Sequence, residues 1–411
     1  MKPPDLKPPD DWPQRLSHNA YLGIAGDFVN HVAPNSEADP AALLLSFLLM
    51  FGNLIGRNAH CMVGETAHFA NEYMVSVGQS SVARKGTTLG YVKAHFFRCM
   101  HKSRRNDPWF ERVIDGGLST GEGLITQFVD AKAGPDGSEP PPTDKRLMIT
   151  EGEFARILIV TGRRDNTLSP VMRNAWDHGN LYVKTRKDPL EARGAHFSII
   201  AHITVEEGRR RLTDMEMANG FANRFLWIAT RRWSLHPDGG PVPPDQGLIN
   251  RTISAYEHAS KAGLIKRSST CDGLWNESYS ILSRDRYGLS GALCSRAEAH
   301  VLRLSMIYAL LDKSNIIREK HLRAALEVWR YCEASVTYIF GNALGDFVAD
   351  AIDRAMHDHG EMTRAEISRL FSHNKSAPEI ERALALLEQA GRIRRKAMPK
   401  GKGRPIEIWE K

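Results

Sequence analysis

The feature that most constrains this chain is the passage from Glu72 to Met100. An alternating, β-branched stretch, Glu72 to Val77, runs straight into the polar glycine loop GQSSVARKGTT and then into an amphipathic segment, Leu89 to Met100. Strand, loop and helix follow one another with no room for a hairpin return. Further strand-like segments at Arg146 to Thr150, His196 to Ile203 and Arg224 to Ala229 are separated by helical or hairpin stretches. That alternation predicts an α/β core, a parallel sheet covered by helices.

The segments around this core read differently. The opening MKPPDLKPPDDWP repeats KPPD and has no apolar stretch of the kind a secretion signal needs, so it is expected to be an extended, polyproline-like arm. Tyr21 to Ile55 reads as two helices, with Asn35, Ser36, Glu37 and Asp39-Pro40 supplying the turn and start signals. Its apolar run, Ala41 to Ile55, falls short of the roughly 20 residues that cross a bilayer and is broken by Ser46, Gly52 and Asn53, which predicts a buried helix and no membrane role. Ala131 to Asp144 (AKAGPDGSEPPPTD) is a surface insertion, and His236 to Gln246 a proline-rich connector. Beyond the connector, Val301, Leu304, Tyr308 and Leu311 form one helical stripe, and Leu322, Leu326, Trp329 and Val336 another. The expected divisions are an arm at 1–18, a helical segment at 19–71, the core at 72–235, a helical lid at 247–346 and a last domain at 347–411.

Basic residues outnumber acidic ones by 55 to 48, a net charge of +7 that favours polyanionic partners. The five cysteines are scattered, odd in number and contain no CxxC pair, which argues against a disulfide framework or a zinc ribbon and suits a reducing cytoplasm. His357, His359 and Glu361 have ligand chemistry, but no further ligand converges by spacing, so a solvated helix end is expected there.

The loop at 78–88 holds what a triphosphate requires: backbone N–H donors on a tight turn, a lysine for the β- and γ-oxygens, and a hydroxyl for Mg²⁺. Counted strictly from Gly78, the GxxxxGK[ST] pattern puts Ala83 and Arg84 where Gly and Lys belong. A shift of one makes Lys85 the phosphate lysine and Thr87 or Thr88 the metal hydroxyl, with Gly78, Ser80, Ser81, Arg84, Gly86, Thr87 and Thr88 around the phosphates. The alternative is a basic glycine turn between two elements. A nucleotide site also needs a carboxylate at the end of an adjacent strand, and Arg146-Leu-Met-Ile-Thr-Glu-Gly-Glu supplies Glu151 and Glu153. Glu151 is the expected Mg²⁺ ligand with Thr87; both acids are candidate catalytic groups, because Thr150 occupies the position where a metal-binding aspartate is usual.

Taken together, NEYMVSVGQSSVARKGTT, GLSTGEGLI (117–125), ITEGEFARIL (149–158), HFSIIAHITVEE (196–207), GFANRFLWIA (220–229) and SRAEAHVLRLSMIYALLD (295–312) resemble a family of P-loop ATPases encoded by phages, plasmids and integrated elements. The order of parts is similar to that of the minichromosome-maintenance (MCM) helicases of the AAA+ class. The resemblance spans roughly residues 20 to 411. It implies a P-loop NTPase core of AAA+ type, ATP and Mg²⁺ as cofactors, a homo-hexameric ring, and a primase as a further partner. No primase module is expected within these residues. Carried onto this sequence, the resemblance makes Thr204, with His202, a sensor of the γ-phosphate. Arg224, in Asn223-Arg224-Phe225, becomes an arginine finger directed at a neighbouring subunit; its alternative is an ion-paired structural residue. Arg296 becomes a second phosphate-sensing arginine, and Arg303 a structural one.

Two segments point to DNA. Gly179 to Leu190 carries Lys184, Arg186 and Lys187 around an Asp188-Pro189 turn, where MCM-like proteins project a β-hairpin into the ring channel to follow a single strand; a solvated basic turn is the alternative. Residues 361–411 look like a winged helix for duplex or fork DNA, with Met362 to Phe371 and Pro378 to Gln389 as helices and Arg392 to Trp409 as a hairpin. From Arg392 to Arg404 there are seven basic residues and no acid, among them Arg394, Arg395, Lys400 and Lys402. Protein docking is the alternative for such a module. The expected function is a DNA-dependent ATPase, a ring-forming replicative helicase of a mobile element. Its rivals are a nucleotide-switched DNA-binding initiator that does not unwind, and a defence ATPase with the same motifs.

Overall fold

The computed structural model describes residues 12–79, 85–103, 107–130, 144–184, 189–212, 219–237, 242–284, 288–341, 344, 346–372, 374–398 and 406–411. Five strands make one parallel sheet: β1 (Tyr73–Val77), β2 (Val113–Asp115), β3 (Arg146–Glu151), β4 (His196–Ile203) and β5 (Phe225–Ala229). Their spatial order is β2-β3-β4-β1-β5. The chain leaves β1 for the far edge at β2, works back to β4, and then crosses β1 to reach β5. The carboxyl ends of β1 and β4, side by side, therefore send their chains in opposite directions. Open α/β sheets bind ligands at such a reversal.

Every residue of β1, β4 and β5 is buried, which accounts for their mostly apolar composition; the polar Ser76, His196, Ser198 and His202 are buried with the rest. One face carries the rings of Tyr73, Phe197 and Phe225, with centroids 5.2 and 5.3 Å from that of Tyr73. The Tyr73 hydroxyl donates to Met172 O at 2.9 Å, tying down the helix Leu168–Asp177. Against the other face lies the helix Pro40–Leu54, capped by Asp39 as its Asp-Pro signal implied, and all 15 of its residues are buried. Asn53 at its end donates to Leu147 O and His196 O (3.0 and 3.2 Å) and accepts from Trp109 Nε1 (2.9 Å). Gly52 is required there by close approach, since a Cβ would meet Ala70 O at 2.4 Å. No helix among the described residues is long and apolar enough to cross a membrane.

His196 Nε2 donates to Gly52 O at 2.9 Å, and burial holds its imidazole down at about 3. His95, bonded to Thr252, is likewise held at about 4 by burial. Both rings are neutral when folded and take up a proton only on unfolding, so the unfolded chain binds more protons between these values and 6.5. Stability should be full above pH 6.5. Below it, stability should fall by about 1.4 kcal/mol per pH unit for each histidine until the folded values are reached. Thermal midpoints from pH 7.5 to 4.5 test this, and a profile unchanged in a His95→Leu variant would remove that histidine from the account.

After β5 come the helices Gln246–Ala259, Ser269–Leu282, Gly288–Cys294, Ala297–Leu311 and Glu319–Phe340. A second apolar cluster, with Ile352, Met356, Ile367, Leu384, Leu387 and Trp409, belongs to the last 65 or so residues. It is enclosed by the helices Phe347–His359, Arg364–Leu370 and Ala377–Gln389 and by a three-stranded antiparallel sheet in the order Glu361–Thr363, Ile406–Glu410, Arg394–Met398. The single helix expected from Met362 to Phe371 is corrected here. Met362 lies in a strand opposite Trp409, and a reciprocal Thr363–Glu366 capping box starts the helix only at Arg364.

Candidate functional site

The loop expected to bind phosphate leaves the carboxyl end of central strand β1, and Gly78 N donates to Ile203 O at the end of β4. The helix is described from Lys85 to Lys102, with Lys85, Gly86, Thr87 and Thr88 at the described end nearest the loop. Thr87 is exposed and Thr88 is buried, so of the two candidate hydroxyls only Thr87 is open to a metal. Ser80, Ser81, Arg84 and the side chain of Lys85 lie outside the described residues.

The two acids after β3 are not equivalent. Glu151 ends the strand with only 5% exposure. Its Oε1 accepts from Glu153 N at 3.0 Å, whereas its buried Oε2 has no hydrogen-bond partner among the described residues. Glu153 is exposed and precedes the helix Phe154–Thr161 without capping it through its side chain. Gly116, at φ +64° just after β2, lies against Glu151: a Cβ there would come within 3.3 Å of Oε2. An orphaned buried carboxylate oxygen is costly unless a cation or water completes it. Among the described residues no three metal-ligating side chains converge. Mg²⁺ keeps several waters and is usually held by one or two protein oxygens together with substrate phosphates, and the Glu151 carboxylate and the exposed Thr87 hydroxyl have that ligand chemistry.

Thr150, where an aspartate is usual, receives a carboxylate from the neighbouring strand. Its hydroxyl bonds Asp115, and Lys93 of the loop-following helix donates to both Asp115 (2.5 Å) and Thr150 (2.9 Å). Lys93 and then Thr150 hold the Asp115 carboxyl below the usual carboxylate range. Asp115 and Lys93 were not anticipated from the sequence; the run Ile-Asp-Gly-Gly at the end of a three-residue strand carries too little periodicity to reveal them.

Thr204 stands at the end of β4 beside β1, as expected, but its hydroxyl is engaged. It is the N-cap of the helix Val205–Arg211, accepting from Glu207 N at 3.2 Å and donating to Glu207 Oε2 at 2.8 Å. The Thr-x-x-Glu spacing at 204–207 was a legible sign of this capping box. His202 is buried in β4 and registers with Ser76 of β1.

The expected arginines lie at the opposite edge of the sheet. Arg224 immediately precedes Phe225, which registers with Tyr73, the first residue of β1. With β1 spanning about 16 Å, Arg224 faces away from the loop of its own chain. Its side chain is 6% exposed, bonded to Asp177 Oδ2 at 2.6 Å and to Gly220 O. This is the ion-paired placement, and a finger extended into solvent is not what the chain presents. Arg296 does not lie near the phosphate loop either: its guanidinium sits 3.4 Å from Asp177 Oδ1, beside Arg224. Arg303 is fully buried, donating to Asn71 O and Trp176 O, which agrees with its structural assignment.

The basic hairpin forms from Leu181–Val183 and Leu190–Ala192, with Lys184 exposed; Arg186 and Lys187 lie outside the described residues. Near the end of the chain Arg394 pairs with Glu410 (2.6 Å), Lys396 with Glu410 (3.3 Å) and Arg395 with Glu407 (2.7 Å). Arg392 pairs with Asp353 (2.7 Å). The absence of acids between Arg392 and Arg404 therefore overstated the local charge: antiparallel pairing sets Glu410 opposite Arg394. Lys400 and Lys402 lie outside the described residues. No protein-family model matches the chain, and a search of curated proteins returns no relative.

Proposed function

We propose that the chain is an ATP-hydrolysing P-loop enzyme of AAA+, MCM-like type that acts on DNA as a ring of identical copies. The observation that carries this reading is one sheet edge. There a glycine loop leaves the central strand for the helix described from Lys85, and a buried carboxylate, Glu151, with one oxygen that has no hydrogen-bond partner among the described residues, ends a strand on the same edge. In the proposed mechanism, helix-turn N–H groups and Lys85 cradle the β- and γ-phosphates. Thr87 and Glu151 would hold Mg²⁺, which when bound neutralises phosphate charge. Glu151 Oε2 also orients the attacking water. Arginines at the far edge face away from their own loop, and a neighbouring copy's nucleotide is the anion they would meet.

DNA binding is assigned to the hairpin around Lys184 and to the last domain, whose helix and strand order suits a winged helix. Cross-strand acids neutralise the hairpin base, so Arg394 and Arg395 should contribute less than Lys400 and Lys402. Each phosphate contact removed lowers the slope of log affinity against log salt by about one. The Lys400→Ala/Lys402→Ala pair should therefore flatten that slope more than Arg394→Ala/Arg395→Ala does. Fluorescence anisotropy titrations between 50 and about 200 mM salt separate these outcomes; unchanged slopes in both variants would move the DNA contact away from this hairpin.

A second reading, a nucleotide-switched DNA-binding protein with slow turnover, is favoured by one observation: the Thr204 hydroxyl is already committed to a helix cap. Strand displacement on a forked duplex with ATP decides between them. Unwinding that depends on ATP supports the helicase. DNA binding and ATP binding without displacement support the switch.

A further inference from the structure

Asp115 ends β2, an edge strand of the sheet, in register with Thr150 on β3. Residues in register share a face, so the carboxylate of one strand meets the hydroxyl of the next. The Thr150 hydroxyl donates to Asp115 Oδ1 and accepts from Lys93 Nζ at 2.9 Å. Lys93 Nζ also donates to Oδ1, at 2.5 Å, so both bonds to the carboxylate fall on one oxygen. Oδ2 has no hydrogen-bond partner among the described residues, on a side chain that is 81% exposed. An aspartate this exposed is ordinarily free to change rotamer; two bonds to the same oxygen select one direction and leave the other oxygen open. Such an exposed ion pair adds little to stability, so what these contacts secure is the direction of Oδ2.

The next residue ties this carboxylate to Glu151. Gly116 N donates to Thr150 O at 2.9 Å, and a Cβ on Gly116 would lie 3.3 Å from Glu151 Oε2, the buried oxygen without a hydrogen-bond partner among the described residues. Two carboxylates from adjacent strands, one buried and one exposed, thus flank Gly116, and each has an oxygen to spare. Lys93 offsets one of the two charges. The remaining charge is what a divalent cation bound with a triphosphate would meet.

We propose that Asp115 is a second carboxylate anchoring the Mg²⁺ of the nucleotide site, supplied by the neighbouring strand in place of an aspartate at position 150, and that Thr150 and Lys93 are positioning residues that fix its Oδ1. Mg²⁺ gives up its waters reluctantly, and an exposed carboxylate oxygen can hold the hydrated ion without displacing them. The proposal deepens the P-loop ATPase reading and rests on it.

The test is Mn²⁺ binding by the 411-residue chain loaded with a non-hydrolysable ATP analogue, read from the free Mn²⁺ signal in electron paramagnetic resonance, with a thermal melt on each preparation. Asp115→Asn should keep the wild-type midpoint and lose about 10- to 100-fold in Mn²⁺ affinity, as loss of an outer partner does at metal sites. Thr150→Val, which leaves Asp115 aimed by Lys93 alone, should also bind Mn²⁺ more weakly, whereas Thr150→Ser, which keeps the hydroxyl, should bind it as the wild type does. That pair carries the test if the Asp115 variant does not fold. Returning the carboxylate to β3 with Asp115→Asn/Thr150→Asp should recover most of what Asp115→Asn loses. Wild-type Mn²⁺ affinity in a folded Asp115→Asn chain that still binds the analogue would overturn the assignment and leave the ATPase reading standing. A folded wild-type chain that binds neither the analogue nor Mn²⁺ would overturn both.

Discussion

A Lys85→Ala chain is expected to fold normally and to lose ATP turnover altogether. Lys85 is the first described residue of the helix that follows the glycine loop, the position in the chain from which a lysine would serve the β- and γ-phosphates. Removing a preorganised charge from a phosphoryl-transfer site costs about 10² to 10³ in rate for a single donor, and more when the group also secures binding. Stability should not suffer, because a cation at a helix N-terminus opposes the helix dipole. Steady-state phosphate release and a thermal melt on the same preparation give both readings. Normal turnover in a folded Lys85→Ala chain, with loss on Arg84→Ala, would restore the strict register counted from Gly78.

Glu151→Gln should separate binding from hydrolysis. The amide keeps an acceptor for Glu153 N and fits the same buried space beside Gly116, but it cannot take or orient a proton as a carboxylate does. Loss of a general base costs about 10² to 10⁴ in rate. Nucleotide should still bind, at a higher Mg²⁺ concentration because an amide is the weaker ligand, and stability should persist, since a buried carboxylate oxygen with no partner among the described residues already carries a penalty. Glu153→Gln, on an exposed side chain, should leave turnover near wild type. Equal losses from the two variants, in single-turnover phosphate release, would return the division of roles to an open pair.

Much of this architecture was legible from sequence because buried parallel strands are rich in apolar and β-branched residues. β1, β4 and β5 are of that kind despite Ser76, His196, Ser198 and His202, and the Asp39-Pro40 start of the buried helix is a local signal of the same strength. Strand β2 escaped notice because it is three residues long, with Ile114 and Asp115 exposed. Carboxylates at the end of β3 were also visible, but their inequality was not: whether Glu151 or Glu153 turns inward depends on β3 pairing with β4 through its last residue. Asp177 lies 47 residues before Arg224, and no periodic pattern links a helix end to the turn before a distant strand. The hairpin charge failed for a related reason. Acids that neutralise Arg394, Arg395 and Lys396 follow the tip in the chain and meet their partners only through cross-strand register.

The central claim is that the carboxyl edge between β1 and β3 binds and hydrolyses a nucleoside triphosphate in response to DNA. Its most direct test is the rate of phosphate release from Mg²⁺-ATP by the 411-residue chain, with and without single-stranded DNA. The account predicts hydrolysis that DNA accelerates and that disappears with Lys85→Ala. A folded chain that binds DNA yet neither binds nor hydrolyses ATP at millimolar concentration would contradict it.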